Sequence, residues 1–501
     1  MPNKLFWILL ILPLACAPII YLAGRLPGIR GQHNRQTSLS RWLLMLVLAG
    51  CLYALARLYP AILSGEQTAV SLGTVSFQFD GISLVLVGST LILGFFCTWF
   101  SGRYLAAETG EEKYYALFAI LTGSIICLVT ATDLFTLWLC FELMAVSTYT
   151  LVAFHRHNAA ALEAGVKYLV QSALGSVFVI LGIALVFGEK GTLAISALKS
   201  AGAASPGLLA AGGLFLIGFG IKAAIVPLHT WLPDAHSQAP SGMSAMLSGV
   251  VISAGLVAML RALSTLGVPS TVWGCAFLAL GAINMLAGNL LALRQVEVKR
   301  MLAYSSISHI GYLLTGLGLA LNKGVLSGGE GAFFHLMTHA VMKGLAFLSA
   351  GALLYALLPH DGSRGPLKLP DIQGTARKYP LVALAFSAAL LALGGLPPLA
   401  GFMSKWVIFT AGFAARDGWM TAAVIFMALN SVLSLAYYAP LVNRLYQRKM
   451  SDVVESGAAV PLSMSVPLAL LALATLVIGF YPAILQPIYQ LAGKNLLALF
   501  F

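Results

Sequence analysis

The sequence is poor in charge. Asp, Glu, Lys and Arg make up 9% of its 501 residues, where a soluble domain carries about 25%. With 59% hydrophobic residues and a mean hydropathy of +0.90, most of the surface must face hydrocarbon. That excludes a water-soluble globular protein and implies a polytopic membrane protein. Acidic residues are scarcer than basic ones, 17 against 29. In a soluble chain the resulting net charge of +12 would suggest nucleic acid. Here it reflects loops that follow the positive-inside rule, and no nucleic-acid partner is expected. Cysteine is also scarce. Cys16, Cys51, Cys97, Cys127, Cys140 and Cys275 all sit in apolar segments, and no two form a C-x-x-C pair. No iron–sulfur site, zinc site or disulfide framework is read from them. Dinucleotide and P-loop fingerprints are missing as well. No cofactor or metal is expected, so a chain like this in a redox complex would not itself hold the redox centre.

What the sequence does have is a succession of long apolar runs. A membrane span needs about 20 such residues. That window gives about fourteen spans, at 4–24, 41–63, 82–100, 114–130, 132–154, 163–187, 207–228, 240–263, 272–293, 304–321, 329–356, 379–414, 419–445 and 461–483. The N-terminal run is longer than a signal-peptide core and shows no clear cleavage site, so it is read as a retained span, with a signal peptide as the alternative. Two spans are interrupted: the seventh at Pro227 in "KAAIVPLH", the twelfth at Pro397 and Pro398 in "GGLPPLAG". Between spans two and three, "TAVSLGTVSFQFDGIS" alternates and fits a short β-hairpin outside the bilayer. The Gly- and Pro-rich linker 359–380 is the best candidate for a hinge.

Loops after odd-numbered spans hold roughly 18 Lys and Arg, among them Arg30, Arg35, Lys299, Arg300 and Arg364, against roughly 8 on the opposite side, among them Lys4, Arg57, Arg261 and Lys494. Both termini are therefore expected on the outer side of a cell's inner (cytoplasmic) membrane.

Four ionisable residues lie inside spans: Glu142, Lys222, Lys343 and Lys405. Each costs about 2.5–3.5 kcal/mol at mid-bilayer, and such residues usually face a bundle interior and mark ion or proton pathways. Two structural alternatives stay open. Glu142 and Lys222 could form an ion pair that clamps two helices, and Lys405, close to a break, could snorkel to an interface. His335, His339 and Lys343 follow one another at four-residue spacing and share a helix face. His-x-x-x-His can bind zinc, but the lysine repels a cation and no third ligand is evident. A polar stripe that passes protons is the preferred reading. The two interrupted spans, each with a lysine, sit five apart in the span order. That suggests an internal repeat in which spans 4–8 match spans 9–13 in inverted topology.

The segments "FELMAVSTYTLV", "KAAIVPLHTWLPDAHSQAPSGMSAML", "VKRMLAYSSISHIGYLL", "HAVMKGLAFLSAGAL" and "GLPPLAGFMSKW" resemble the signatures of the antiporter-like, proton-conducting membrane subunits. These occur in respiratory complex I, in membrane-bound hydrogenase and formate hydrogenlyase complexes, and in multi-subunit cation/proton antiporters. The resemblance implies an all-α fold of fourteen spans with two inverted five-helix repeats. It divides the chain into 1–113 (spans 1–3 and hairpin), 114–263 (first repeat), 264–445 (second repeat) and 446–501 (last span and tail). It also implies a proton path through Glu142, Lys222, Lys343 and Lys405, with His229, Ser253, His309, His335 and His339 as accessory groups. Ser253 marks a departure, because many relatives carry a lysine at that place. The implied function is proton translocation within a redox-driven complex, alongside other membrane subunits and a peripheral redox arm. The alternatives are a subunit of a sodium/proton antiporter and a structural spacer without its own ion path.

Overall fold

The computed structural model describes residues 2–25, 39–66, 68–106, 108–199, 204–357 and 365–501. Arg30, Arg35, Arg364 and the first part of the 359–380 linker lie outside the described residues. Two long helices, α1 (Pro2–Ala23) and α2 (Leu39–Leu63), lead to an antiparallel hairpin of β1 (Thr68–Leu72) and β2 (Val75–Phe79), with Thr68 opposite Phe79. Then come α3 (Gly81–Tyr104), α4 (Glu111–Thr130), α5 (Leu134–Val152), α6 (Ala159–Lys190), the short α7 (Ile195–Lys199), α8 (Pro206–Lys222) and α9 (Trp231–Gln238). Next, α10 (Ser241–Met246), a π-helical turn (Leu247–Val251) and α11 (Ile252–Leu263) run on as one rod. They are followed by α12 (Ser270–Leu293), α13 (Val298–Lys323), α14 (Leu326–Leu357), α15 (Thr375–Lys378), α16 (Pro380–Gly394), α17 (Ala400–Ala414) and α18 (Gly418–Leu445). The chain closes with α19 (Asp452–Ser456), α20 (Leu462–Phe480) and α21 (Gln486–Phe500).

Among the described residues, 11 helices are long and apolar enough to cross a membrane, and α8 and α16 are shorter apolar helices. The protein is a multi-pass integral membrane protein. The interrupted spans are the short ones, because a backbone turn stops the first after Lys222 and Gly395, Pro397 and Pro398 stop the second after Gly394. Helix starts follow local chemistry. Asp80, Asp133 and Asn158 cap α3, α5 and α6, accepting from the N–H groups of Ser83, Thr136 and Ala160 at 2.8, 2.8 and 2.9 Å. Each satisfies a donor that the helix itself leaves free. The tail after α20 is also helical and packs on the bundle, which the apolar-run pattern alone did not reveal.

Successive long helices reverse direction, so loops sort to two faces. One carries the ion pairs Arg25–Glu112 (3.3 Å) and Arg300–Asp234 (2.6 Å); the other carries Arg261–Asp80 (2.9 Å) and Lys323–Asp417 (3.1 Å). Both chain ends lie at the second face. Phe6 meets Phe79 of the hairpin edge to face at 5.4 Å, and the Gly81 N–H donates to Asn495 Oδ1 of α21 at 2.6 Å. The expected hinge does not look like one in its described part. Val298 N–H donates to Leu367 O, Leu369 N–H to Val296 O and Gly374 N–H to Arg444 O, each at 2.9 Å. A backbone held on both sides by hydrogen bonds to the helical body has little freedom to swing.

The core is built around α14 and the α10–α11 rod. The rod is buried along its whole apolar window, and α14 along nearly all of its own. Close helix contacts place the polar groups. A Cβ on Gly175 of α6 would come within 2.8 Å of Gly218 O, and one on Gly218 of α8 within 2.6 Å of Gly175 O. Only glycine at both places lets α6 and α8 touch backbone to backbone, which brings the end of α8 under the side chains of α5 and α6.

Candidate functional site

Lys222 is the last residue of α8, and the helix ends a full turn before Pro227. The sequence suggested that the proline opens the span. The turn is instead made at Ala223 and Ala224, the latter with φ of +54°. Lys222 is 1% exposed. Its Nζ donates to Thr148 Oγ1 at 2.9 Å and lies 4.6 Å above the ring of Tyr168, whose own hydroxyl donates to Thr148 at 3.0 Å. The expected Glu142–Lys222 ion pair is therefore not a contact. Glu142 lies on a half-buried face of α5, within electrostatic range of Lys222 but outside ion-pair distance, with one carboxylate oxygen buried and unpartnered. A hydroxyl and an aromatic face take the carboxylate's place around the amine. In a desolvated setting the ring is worth about 2 kcal/mol to a cation, and the hydrogen bond about 1.5–3 kcal/mol. Together they are of the same order as the cost of the charge.

The broken backbone after Lys222 is satisfied by side chains from outside it. Trp231 Nε1 donates to Ile221 O at 2.8 Å, and its ring stacks on Tyr168 at 3.9 Å. Asn284 of α12 accepts from Val226 N–H at 2.8 Å and donates to Ala224 O at 3.3 Å. Unmet backbone groups inside a membrane protein cost several kcal/mol each, so Asn284 is the residue that makes the break tolerable. Asn284→Ala is expected to lower the melting temperature and to speed hydrogen exchange over 223–230, with a cost of about 1–3 kcal/mol for the groups left bare. Unchanged exchange in that stretch would contradict this assignment. His229 sits in the break, half buried, with Nδ1 unpartnered.

The second break is organised differently. Proline removes a donor and leaves the carbonyl four residues earlier without its partner. For Pro397 that carbonyl is Leu393 and for Pro398 it is Gly394. Lys405 Nζ donates to Leu393 O at 2.8 Å, and Ser431 Oγ of α18 donates to Gly394 O at 3.1 Å. Lys405 also donates to Ser431 Oγ at 2.9 Å and lies 4.5 Å from the ring of Tyr312. Gly395 makes the turn with φ of +84°, and a Cβ there would meet Ser431 Oγ at 3.1 Å and Lys405 Nζ at 3.3 Å. Lys405 is buried rather than snorkelling, because the broken helix itself supplies its acceptors.

Between the breaks, α14 turns its His335, His339 and Lys343 face toward α13. The Nδ1 of His309 lies 3.0 Å from His335 Nε2, and His335 Nδ1 lies 2.9 Å from Ser404 Oγ. The His309 and His339 rings are 5.1 Å apart, and both ring nitrogens of His339 are buried and unpartnered. Lys343 Nζ donates to Leu302 O at 2.8 Å and is hydrogen-bonded to Ser305 Oγ. Ser253 is fully buried, with its hydroxyl unpartnered. Among the described residues, no three His, Cys, Asp or Glu side chains converge as metal ligands would.

Several of these partners escaped sequence reading: Thr148, Tyr168, Asn284, Ser305, Tyr312 and Ser431. Charge marks the lysines, but a hydroxyl in an apolar run carries no such flag. Asn284 and the serine-dense "AYSSISH" were the available signals. Lys299, read as a loop charge, is buried at the start of α13, where its Nζ donates to Ala239 O at 2.6 Å. Nearby, Asp234 of α9 joins Lys167 (3.0 Å) and Arg300 (2.6 Å), tying α9 to α6 and α13. Burial pushes the Asp234 carboxyl up, yet hydrogen bonds from Lys167 and Arg300 hold it below its ordinary value. A depressed carboxyl stabilises the fold above its unfolded value of about 3.9 and loses that contribution as pH falls through its folded value. Asp234→Asn at neutral pH is accordingly expected to loosen α9 as acidification below about pH 4 does in the parent chain. Hydrogen exchange over 229–240 reads both.

Residues 131–433 match the family model described as "NADH:quinone oxidoreductase/Mrp antiporter, TM". Among curated relatives, the F(420)H(2) dehydrogenase subunit N of Methanosarcina mazei is 32% identical over 79% of this chain and 80% of its own length. The NADH-quinone oxidoreductase subunit N of Trichlorobacter lovleyi is 31% identical over 90% of each chain. Among solved structures, a chain of the membrane-bound sulfane sulfur reductase, an archaeal respiratory membrane complex, superposes with a TM-score of 0.85 at 26% identity, covering 98% of this chain and 97% of that one. A chain of the Mrp complex from Dietzia sp. shares the fold, with a TM-score of 0.86 at 23% identity over 99% and 97% of the two chains. All four intramembrane ionisable residues, Ser253 and the histidines fall inside the matched region. The chain belongs to the NADH:quinone oxidoreductase/Mrp antiporter transmembrane family.

Proposed function

We propose that this chain is a proton-translocating subunit of a redox-driven, multi-subunit membrane complex. In this reading there are fourteen spans, ten of them in two inverted five-helix repeats, 114–263 and 264–445, in a cytoplasmic membrane with both termini outside. Protons pass from Lys222, near Glu142, to Lys343 and the histidines His309, His335 and His339, and leave by Lys405. His229 lies at the first break. The observation that carries the reading is the state of the three buried lysines. Among the described residues none has an ion-pair partner, and each amine is held by hydroxyl or carbonyl oxygens. A clamp needs a paired carboxylate. A proton carrier needs a site that is tolerable both charged and neutral, which neutral acceptors provide.

A redox partner is favoured over a sodium/proton antiporter because the relatives above 30% identity are dehydrogenase and quinone-oxidoreductase subunits, whereas the Mrp neighbour shares the fold at 23% identity. Partners are then other membrane subunits and a peripheral redox arm. The reading is tested by purifying the complex, identifying what co-purifies, and measuring proton uptake into vesicles driven by its own electron donor, with Lys222→Ala as the comparison. A complex that assembles with Lys222→Ala and pumps at full yield removes the proposal. A sodium-dependent pH gradient without an electron donor would replace it with the antiporter reading.

A further inference from the structure

The α10–α11 rod separates Lys222 from Lys343. A Cβ on Gly255 of α11 would lie 3.0 Å from Lys222 Cβ, so one side of the rod packs directly on the first lysine. Elsewhere the rod packs on α14 and α3 and touches α13 at Ser248. The rod is fully buried, its one charged residue, Arg261, is paired with Asp80, and position 253, where the family resemblance implies a lysine, is a serine. Its backbone is also irregular. Residues Leu247–Val251 form a π-helical turn, in which one extra residue per turn re-aims the side chains that follow, an arrangement frequent at functional sites.

The turn points Ser248 at α13. Ser248 Oγ and Ser306 Oγ are 2.7 Å apart, both with 0% exposure. Ser306 Oγ also donates to Leu302 O at 3.0 Å. That carbonyl is a hub, because Ser305 Oγ donates to it at 2.9 Å and Lys343 Nζ at 2.8 Å. The Ser248–Ser306 pair is thus one shared acceptor away from the second lysine. Ser253, on the same rod just past the π-turn, adds a third buried hydroxyl on the stretch leading back to Gly255 and Lys222. Replacing both partners of a buried hydrogen-bonded pair by apolar groups of the same shape can be nearly neutral in stability, so stability alone does not require the Ser248–Ser306 pair.

We infer that the Ser248–Ser306 hydroxyl pair carries the proton across the α10–α11 rod to Lys343, in place of a lysine at position 253. The inference rests on the proton-path reading given above. A hydroxyl has one donor and two acceptor lone pairs, so it can take a proton on one side and release its own on the other without storing charge. A proton reaching a lone pair of Ser248 Oγ frees Ser248's own proton to Ser306 Oγ. Ser306's own proton, which points at Leu302 O, turns away from that carbonyl and passes to the lone pair of the neutral amine of Lys343, held at the same carbonyl. One proton goes in and one comes out, only O–H and N–H bonds form or break, and both hydroxyls then rotate back.

The test uses the assembled complex in vesicles and compares proton uptake per electron transferred. Ser248→Ala is expected to lower that ratio on the order of a hundredfold, at the lower end of what a positioned proton-transfer group contributes, with subunit content unchanged. Ser248→Thr, which keeps the hydroxyl, is expected to retain it, and Ser253→Lys in the Ser248→Ala background to restore it. A purely structural role would not respond to that added lysine. If Ser248→Ala does not assemble, Ser306→Ala breaks the same bond from α13 and carries the comparison. Full pumping by an assembled Ser248→Ala or Ser306→Ala complex, while Lys222→Ala is inactive, overturns the bridge and leaves the wider path standing. Full pumping by Lys222→Ala as well overturns both.

Discussion

Lys222→Ala is expected to slow proton translocation by the assembled complex about a hundredfold. Without the amine, a proton crossing the end of α8 must exist there as a bare charge in hydrocarbon, at a cost of about 3 kcal/mol. Each 1.36 kcal/mol of barrier is worth a factor of ten in rate, which sets the size of the effect. The Thr148 hydroxyl and the Tyr168 ring that hold Nζ cannot replace it, since neither takes up an additional proton at neutral pH. Lys222→Arg makes the sharper comparison. Arginine keeps the charge and the donors but effectively never gives up its proton. If Lys222 only secured helix packing, arginine would restore function. If Lys222 carries protons, arginine is as inactive as alanine while assembly stays normal. Proton uptake into vesicles, measured alongside subunit content, separates the two.

Lys405→Ala is expected to lose translocation to a similar degree and, unlike Lys222→Ala, to destabilise its helix break as well. The difference comes from the second break using its lysine as a cap. Removing Nζ strips Leu393 O of its donor and leaves an unsatisfied carbonyl worth about 1–3 kcal/mol. Hydrogen exchange across 393–400 is expected to quicken, and the melting temperature to fall. Lys405→Arg retains donors for Leu393 O and Ser431 Oγ, so it should recover much of the stability without the flux. Equal stability of the alanine and parent proteins would show that the cap is dispensable and that Ser431 alone holds the break.

Legibility in the sequence followed the size of each energetic penalty. A charge in hydrocarbon is expensive, so Glu142, Lys222, Lys343 and Lys405 stood out as soon as spans were drawn. The breaks stood out too, because a proline inside an apolar run has few physical explanations. The four-residue spacing of His335, His339 and Lys343 predicted a shared face, and all three turn toward α13. Partner identity was not legible. Glu142 was the natural partner for Lys222 by charge, yet the closest groups are Thr148 and Tyr168, because the roll of α5 leaves Glu142 on a half-buried face. Lys299 was assigned to a loop on charge alone, whereas the start of α13 buries it against Ala239 O.

By itself the sequence determined that this chain crosses a membrane many times, that it carries ionisable groups at depth, and that two of its spans are interrupted, since each of these follows from local composition and spacing. Only the tertiary structure decided what surrounds each amine. Lys222 ends its helix before the proline, on a threonine and a tyrosine. Lys405 fills the hydrogen-bonding deficit that Pro397 creates. On the rod where position 253 is a serine, the π-turn residue Ser248 meets Ser306 of α13. The reason is that a hydrogen bond between residues 58 positions apart, as between Ser248 and Ser306, depends on which face each helix presents. That in turn is set by close packing at positions such as Gly175, Gly218 and Gly255, and not by any pattern within one span.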